Sequence, residues 1–534
     1  MNFEETEKKE ELIASQPTLW YDDEFPEDLL IEGMKTEIES MKHFDVYEEI
    51  RSTTLSQEQL SSVIDTKWVK RYKGQGVRCR LVVRGFMQTV EDTDDTFAST
   101  PSLITLKLLL TLRLAKGMSI RTADVSTAFL HATLSEEIFV KPPDEFYPEG
   151  GVVWRLKRAL YGLKNAPRLW QDHFADVMKC NNFHRSKTDA NLYCHFEKKL
   201  YVLCYVDDLF MVGNDEDIVS TLEELQKTLL LRETGCLDNG KPVDFLGRII
   251  TKSQESIKLS MNSEYIEKIL DELHLKTLKP AVTPGTDTLK RTTEESEPLS
   301  AEDHRRYRRI VGKLLWLTCV RNDIMFAVKE LSRGLQAPTL HDQAKLKHLL
   351  RYLVGTKDIV EVIRPKLRLS DEVKCIDINT FVDSDWAGCA ATRKSTSGMA
   401  LCVLGVNLCG ISRTQQTVAL SSGEAELYAV GLGVSESLFV RSLLIESKLT
   451  LKVNIIIHTD STAGKSMASR HGLSKKTKHI QLRFLYMQDL ILSGIVKIKK
   501  IAGTLNPADI FTKYVNKETL NRHMPTLGYF SSLK

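Results

Sequence analysis

At 534 residues the chain is long enough for about three domains, each with its own hydrophobic core. Its hydrophobic fraction of 42% and charged fraction of 27% are ordinary for a globular protein, and no apolar run approaches the ~20 residues that span a bilayer. No signal peptide opens the chain and its ten cysteines form no Cys-x-x-Cys pair, so we expect an intracellular protein without a transmembrane segment, zinc site or disulfide framework.

The formal net charge of +2 conceals an uneven distribution of charge along the chain. Residues 1–60 contain 17 acidic and 5 basic side chains, whereas the remainder contains 68 basic and 54 acidic ones. An acidic leader before a basic body suits a protein that binds nucleic acid, although charge runs also occur simply as solvated surfaces. Within the leader, the stretch through Asp28 has the composition of a disordered tail, and apolar spacing predicts one helix from Leu29 to Phe44.

A basic β-hairpin is predicted next. Strand-forming residues occupy 66–72 and 77–86, and Gly74 and Gly76 favour a tight turn between them. The hairpin concentrates seven cations: Lys67, Lys70, Arg71, Lys73, Arg78, Arg80 and Arg84. Alternation places Arg78 and Arg80 on one face, where they can grip a triphosphate or a nucleic-acid backbone. A solvated edge that prevents aggregation is nearly as good an interpretation.

Two strand ends farther along carry carboxylates. After a predicted helix over 102–114, a short strand ends at Asp124 and leads into small residues and Phe129. The apolar runs 200–206 and 209–213 predict two buried strands, and Asp207 and Asp208 fall where one must turn into the other. Unpaired carboxylates there would cost several kcal/mol, which a divalent cation such as Mg²⁺ removes. The alternative is an ordinary hairpin turn.

The middle of the chain is predicted to be a linker followed by helices. Residues 280–303 contain three prolines and many Thr, Ser and Glu residues, which is typical of a linker or a long exposed loop. Helical periodicity resumes at Tyr307 and continues, with a break near Pro338, to Gly355.

After about residue 375 the pattern predicts the order βββαβαβα, with an acid at each of four strand or helix ends. Asp383 and Asp385 end the first strand, and Asp460 follows the strand 453–458. The third strand is predicted over 407–420, and a final helix is predicted to open at Pro507. The long helix after Ser421 contains both Glu424 and Glu426, which lie about 200° apart, so only one can face a shared site.

Four motifs occur in this order along the chain: Arg80-Leu-Val-Val-Arg-Gly-Phe, Asp124-Val-Ser-Thr-Ala-Phe-Leu, Leu160-Tyr-Gly-Leu-Lys-Asn-Ala-Pro-Arg-Leu-Trp and Tyr205-Val-Asp-Asp. Together they resemble the reverse transcriptase of copia-type LTR retrotransposons. The segments at Tyr307 and Leu349 resemble the same family between polymerase and nuclease, and the acidic pattern after residue 375 resembles its ribonuclease H domain.

The resemblance implies an α/β and α+β multidomain protein, in which a right-hand polymerase of fingers, palm and thumb precedes a ribonuclease H-like α/β domain. The expected divisions are an acidic leader with one helix (1–60), fingers and palm (61–250), thumb or connection helices including the linker (251–372), the ribonuclease H-like domain (373–520) and a C-terminal tail (521–534).

The resemblance also implies the residues of two sites. Asp124, Asp207 and Asp208 are expected to bind Mg²⁺, with Mn²⁺ as an alternative, and to catalyse nucleotidyl transfer. Residues expected to bind the nucleotide are Arg80, Phe129, Tyr161 and Gly162, with Lys67 as a weaker candidate. Catalytic metal ligands expected in the nuclease are Asp383, Glu426, Asp460 and Asp509. Glu426 is preferred to Glu424 because Glu426-Leu-Tyr-Ala matches the family motif, and Asp385 is expected to support Asp383.

The implied function is RNA-directed DNA polymerisation coupled to degradation of RNA in RNA–DNA hybrids. Expected partners are an RNA template, a DNA or RNA primer, the hybrid and deoxynucleoside triphosphates, and no membrane. The chain is expected to be part of a longer polyprotein or a separately expressed piece, located in cytoplasmic virus-like particles, the nucleus or both. The alternative is an inactive, host-adopted relic that binds nucleic acid.

Overall fold

The computed structural model describes residues 25–88, 96–273, 279–290, 296–369, 375–450, 452–470, 472 and 486–531. Most of the predicted disordered tail lies outside these residues, as does part of the predicted linker. The described chain is a mixed α/β protein that contains five separate β-sheets.

The helices have the following bounds: α1 Glu27–His43, α2 Gln57–Ser61, α3 Leu103–Lys116, α4 Ala128–His131, α5 Ala166–Cys180, α6 Asp215–Gln226, α7 Ser263–Asp271, α8 Asp287–Lys290, α9 Ala301–Leu317, α10 Met325–Ser332, α11 Leu340–Val354, α12 Ser422–Glu446, α13 Thr462–Ser469, α14 Tyr486–Leu492 and α15 Lys517–His523.

The strands have the following bounds: β1 Tyr47–Arg51, β2 Thr66–Lys73, β3 Gly76–Val83, β4 Ser119–Val125, β5 Thr133–Val140, β6 Val152–Arg158, β7 His184–Arg185, β8 Leu192–His195, β9 Leu200–Tyr205, β10 Asp208–Gly213, β11 Leu231–Cys236, β12 Val243–Phe245, β13 Arg248–Ser253, β14 Ser256–Ser260, β15 Ile359–Ile363, β16 Ile376–Asp385, β17 Thr396–Val403, β18 Val406–Thr414, β19 Val453–Thr459, β20 Val496–Lys500 and β21 Tyr529–Ser531.

The central sheet has six strands in the order β11-β4-β10-β9-β8-β7. The predicted hairpin at Asp207 and Asp208 is confirmed, because β9 and β10 pair antiparallel around that turn. Both of its faces are buried: Val202 and Met211 pack against α5 and α6, whereas Leu203 and Phe210 belong to a core that includes α3. Burial on both faces explains why the sequence here is continuously apolar rather than alternating.

The basic hairpin and the first helix are also confirmed. Strands β2 and β3 pair from Thr66–Val83 to Lys73–Gly76, which places Gly74 in the turn with a φ of 59°. Helix α1 buries Met34 against the apolar face of β3. The opposite face of the hairpin carries Lys67, Arg71, Lys73, Arg78 and Arg80, whereas Lys70 lies opposite the buried Cys79.

The helices of the middle region begin earlier and break more often than predicted. Helix α9 begins at Ala301, where the Ser300 side chain accepts a hydrogen bond from the Asp303 backbone nitrogen, rather than at Tyr307. Its first turns are polar and largely exposed, so they add nothing to an apolar period. A second interruption separates α9 from α10, where the buried Arg321 and Asp323 form an ion pair.

A five-stranded sheet, β12-β13-β14-β15-β21, joins segments that are distant in sequence. Strand β15 pairs with β14 on one side and with β21 on the other. The residues predicted to be a C-terminal tail therefore contribute the end of α15 and an edge strand.

The last sheet has the order β18-β17-β16-β19-β20, antiparallel among β16, β17 and β18 and parallel from β16 to β20. The first three predicted strands and the long helix are present, and the Ser421 side chain accepts a hydrogen bond from the Glu424 backbone nitrogen at the start of α12. Two details were wrong: β18 ends at Thr414 rather than at 420, and Pro507–Phe511 form a 3₁₀ helix that precedes α15.

By length and composition alone, α12 could also cross a membrane. However, 56% of its most apolar 18-residue stretch is buried inside the protein, where the helix packs on β16, β17 and β19. A core helix passes the same test of length and composition, so this feature is weak evidence for a membrane span.

Candidate active sites

The first acidic site consists of Asp124, Asp207 and Asp208 in the central sheet. Strands β4 and β10 pair so that Asp208 lies directly opposite Asp124. The Val125 backbone nitrogen donates to the Asp207 backbone oxygen over 2.7 Å, which joins the turn to the strand that carries Asp124. Cross-strand pairing thus brings together carboxylates that are far apart in the sequence.

These carboxylates are held in an unfavourable electrostatic environment. Burial and then the charges of Asp207, Asp124 and Asp244 raise the pKa of Asp208 to about 7. Burial likewise raises the pKa of Asp207, with Asp124 adding to the rise and Arg80 opposing it. None of the three forms an ion pair within the described residues, so a divalent cation fits this set of hard oxygen ligands.

Cations of the hairpin approach this site. The charge of Asp124 raises the pKa of Lys73, although Arg78, burial and Arg232 outweigh it and leave that pKa lowered. Lys67 pairs with Val82 and Arg80 with Val69, so the weaker candidate Lys67 shares the hairpin face of Arg80. The charges of Arg80 and Arg78 on this face act on Asp207.

Arg232 was missed by the sequence reasoning. It lies on β11 directly opposite Asp124 and is exposed. It also acts electrostatically on Lys73, so it belongs to the same cluster of cations. No local pattern distinguishes it from other surface arginines, because its place depends on how β11 pairs with β4.

The predicted nucleotide-binding residues form a continuous surface between the hairpin and the central sheet. The Arg80 guanidinium lies 4.5 Å from the centre of the Tyr161 ring, and the Tyr161 and Phe129 ring centres are 5.2 Å apart. Phe129 is half-buried and contacts two of the cores.

The backbone conformation and close packing at position 162 require a glycine. It has a φ of 93°, and a Cβ there would lie 2.1 Å from the Val83 backbone oxygen. The Val83 backbone nitrogen donates to the Tyr161 backbone oxygen over 2.8 Å. This close contact seats the Tyr161 segment against the basic hairpin.

The second acidic site is formed by Asp383 on β16, Glu426 on α12 and Asp460 just beyond β19. One ligand oxygen from each lies within 4.8 Å of the others. Among the residues that the structure describes, this is the only such group of three or more, so the three carboxylates of the first site do not converge as closely.

Glu426 contributes a buried carboxylate to this group. It is 8% exposed, and its Oε2 atom is buried without a hydrogen-bond partner. Burial, then the charges of Asp383 and Asp460, raise its pKa to about 8. A divalent cation between the three carboxylates would satisfy the oxygen and offset the repulsion.

Glu424 faces elsewhere, in agreement with the argument that only one of the two glutamates can face the site. Its carboxylate accepts a hydrogen bond from the Leu420 backbone nitrogen over 2.9 Å and another from the Tyr428 hydroxyl over 2.5 Å. Glu424 therefore stabilises the N-terminal end of α12. Asp385 is half-buried at the end of β16 and is not a member of the acidic group.

Asp509 lies beside the second site without joining the close group. Its Oδ1 atom is 3.0 Å from Lys513 Nζ, which is also 3.6 Å from Asp383 Oδ2. Burial and the charge of Asp383 raise the pKa of Asp509 to about 6, although Lys513 opposes the rise. The Thr512 hydroxyl donates to Asp383 Oδ2. The sequence reasoning missed Thr512 and Lys513, whose spacing from Asp509 has meaning only once the 3₁₀ turn is known.

Comparison with known proteins gives consistent matches. The family model for reverse transcriptase (RNA-dependent DNA polymerase) matches residues 53–287, which include the first acidic site. The retrovirus-related Pol polyprotein from transposon TNT 1-94 of Nicotiana tabacum is 29% identical over 94% of this chain, and that from transposon RE1 of Arabidopsis thaliana is 28% identical over 88%. A putative transposon Ty5-1 protein of Saccharomyces cerevisiae is 34% identical over 47% of this chain.

The shares of the relatives that are covered differ widely. The chain spans 38% of the tobacco polyprotein and 32% of the Arabidopsis one, but 82% of the yeast protein. The second acidic site lies beyond the residues that the family model matches.

Proposed function

This chain belongs to the copia-type transposon Pol polyprotein family and contains its reverse transcriptase, and on that basis we propose that it copies RNA into DNA at the first acidic site. The observation that carries this proposal is the pairing of Asp208 with Asp124 at a half-buried hairpin turn, within electrostatic reach of the basic hairpin. Its substrates would be deoxynucleoside triphosphates and a primer paired with an RNA template.

In this proposal the protein is a right-hand polymerase. The hairpin β2–β3 and the sheet of β1, β5 and β6 serve as fingers, the central sheet as palm, and the helices α9–α11 as thumb or connection. The intracellular location expected from the sequence, in virus-like particles or the nucleus, forms part of the same proposal.

Each group at the first site has a distinct task. Asp124, Asp207 and Asp208 would hold Mg²⁺ or Mn²⁺, which lowers the pKa of the primer 3′-hydroxyl and offsets the charge of the triphosphate. Arg80 and Lys73 would bind the phosphates, since both act electrostatically on these aspartates. Tyr161, Gly162 and Phe129 would form the wall against which the sugar and base rest.

We further propose that the second acidic site hydrolyses the RNA strand of an RNA–DNA hybrid. Asp383, Glu426 and Asp460, with Asp509 beside them, would hold divalent cations that activate water and stabilise the leaving oxygen. The buried, unpartnered Oε2 of Glu426 supports this assignment. Thr512 orients Asp383 through its hydrogen bond, which leaves the second oxygen of Asp383 to the site.

A reciprocal pair of variants tests both proposals. Asp207→Asn should abolish primer extension on an RNA template but leave hybrid binding intact, since binding depends on the basic surface. Asp460→Asn should stop cleavage of the hybrid and leave extension unchanged. Retention of more than about a hundredth of the parent extension rate by D207N would contradict the assignment.

The control and the alternative are part of the same experiment. Asp271→Asn, at the end of α7 and outside both acidic sites, should affect neither activity. If one substitution removed both activities in a folded protein, the two sites would not be separate. A wild-type protein that binds hybrid but neither extends nor cleaves it would be the inactive relic.

A further inference from the structure

Lys513 lies close to two of the four acids of the second site, Asp383 and Asp509. Asp383, Glu426 and Asp460 converge within 4.8 Å, whereas Asp509 is excluded from that group and pairs with Lys513 at 3.0 Å. The same ammonium lies 3.6 Å from Asp383. Its nitrogen therefore occupies the space between Asp383 and Asp509, where any ion shared by those two carboxylates would have to lie.

The position of Lys513 allows its side chain to move away from the two carboxylates. Its side chain is 44% exposed, in contrast to 6% for Asp383, so its stem reaches the acids from the solvent side. The backbone that carries it is fixed independently, because the neighbouring Thr512 hydroxyl donates to Asp383. Movement of Lys513 would thus require only side-chain rotation.

We propose that Lys513 is a displaceable internal counter-ion, which holds Asp383 and Asp509 together in the metal-free protein and leaves when they share a divalent cation. The inference rests on the proposed nuclease site and adds to it a residue that regulates its occupancy. A first cation would bind the open group of three carboxylates without opposition. A second, at Asp383 and Asp509, would compete with a positive charge only 3–4 Å from its ligands.

The test measures metal binding to the full-length protein without nucleic acid. Titration with Mn²⁺, followed by electron paramagnetic resonance of the free ion, should reveal a tighter ion that is lost in Glu426→Gln and a weaker ion that is lost in Asp509→Asn. Lys513→Met should strengthen binding of the weaker ion at least about tenfold, because a competing charge is removed. It should also lower the melting temperature of the metal-free protein, and Lys513→Arg should restore both properties.

A second lysine near the site, Lys500, serves as a control for a non-specific effect of positive charge. Burial and the charge of Asp383 raise the pKa of Asp460, and the charge of Lys500 opposes that rise. Lys500 donates its hydrogen bond to the Thr462 hydroxyl rather than to a carboxylate. Lys500→Met should therefore leave the weaker ion and the metal-free stability nearly unchanged. An effect of K500M equal to that of K513M would overturn the inference.

Two other outcomes are decisive. If E426Q loses ions but K513M titrates like the wild type, the counter-ion role is wrong and the nuclease site stands. If E426Q and the wild type bind the same number of ions, the nuclease site itself is wrong and the inference falls with it. Because the lysine is half-exposed, we expect K513M to fold, and the unchanged extension activity of the polymerase site verifies this.

Discussion

Trp170 donates its indole Nε1 hydrogen to the backbone oxygen of Val206 over a distance of 2.7 Å. The tryptophan is 2% exposed on α5, and Val206 is the first residue of the turn that carries Asp207. Val206 has a φ of 53°, a conformation that is strained for a β-branched residue. The hydrogen bond from α5 therefore stabilises a turn that the local sequence disfavours.

Removal of this donor should disturb the turn. Trp170→Phe keeps an aromatic ring in the core but leaves the Val206 oxygen with only the weak Cys204 thiol donor, 3.6 Å away. We expect this loss to cost about 1–3 kcal/mol. We expect primer extension to fall roughly tenfold or more while hybrid cleavage is unchanged. Val206→Gly removes the strain, so it should partly restore extension when combined with W170F. Equal extension by W170F and the wild type would show that the turn needs no support from α5.

Phe129 allows a choice between a sugar-selecting wall and a plain core residue. As a wall below the sugar it would leave no room for a 2′-hydroxyl, so Phe129→Val should raise ribonucleotide use relative to deoxyribonucleotide use by at least about tenfold, or roughly 1.4 kcal/mol. As a core residue it would lower the use of both nucleotides alike, with a stability loss of roughly 3–5 kcal/mol on change to Ala. The ratio of the two kcat/KM values decides, and an unchanged ratio in an active variant returns Phe129 to the core.

Arg232 should contribute to nucleotide binding. Because it is exposed directly opposite Asp124, Arg232→Gln should raise KM for deoxynucleoside triphosphates about tenfold with a smaller change in hybrid affinity. Lys227→Gln serves as the control, since this exposed lysine follows α6 and pairs with Glu224. An unchanged KM in R232Q, measured by steady-state extension, would remove Arg232 from the site.

The stability of the metal-free protein should depend on whether Glu426 is ionised. Its pKa rises on folding from 4.5 to about 8, so ionisation costs stability progressively as the pH increases through that interval. Glu426→Gln avoids this cost. The melting temperature of E426Q should therefore equal that of the wild type near pH 5 and exceed it at pH 8.

Addition of Mg²⁺ should reverse that order at pH 8, because the wild type retains a ligand that the variant lacks. Thermal melts in chelator and in Mg²⁺ provide the measurement. A difference between E426Q and the wild type that does not vary with pH would contradict the assigned environment of Glu426.

Much of the fold follows from local patterns in the sequence. The apolar runs around Asp207 and Asp208 predict two buried strands and their turn, and the spacing of Met34, Ile38 and Met41 predicts the buried face of α1. These predictions succeed because periodicity and turn residues reflect the burial and hydrogen bonding of neighbouring residues. Local patterns failed at α9, whose polar first turns show no apolar period, and at Pro507, where a 3₁₀ turn precedes the last helix.

The composition of the two sites was decided partly by sequence and partly by packing. Motif order singled out the carboxylates, and helical geometry required a choice between Glu424 and Glu426. Tertiary structure alone placed Arg232 opposite Asp124, Trp170 against Val206, and Lys513 between Asp383 and Asp509. Strand register and side-chain contacts between distant segments depend on how whole elements pack, and no periodicity within a single element carries that information.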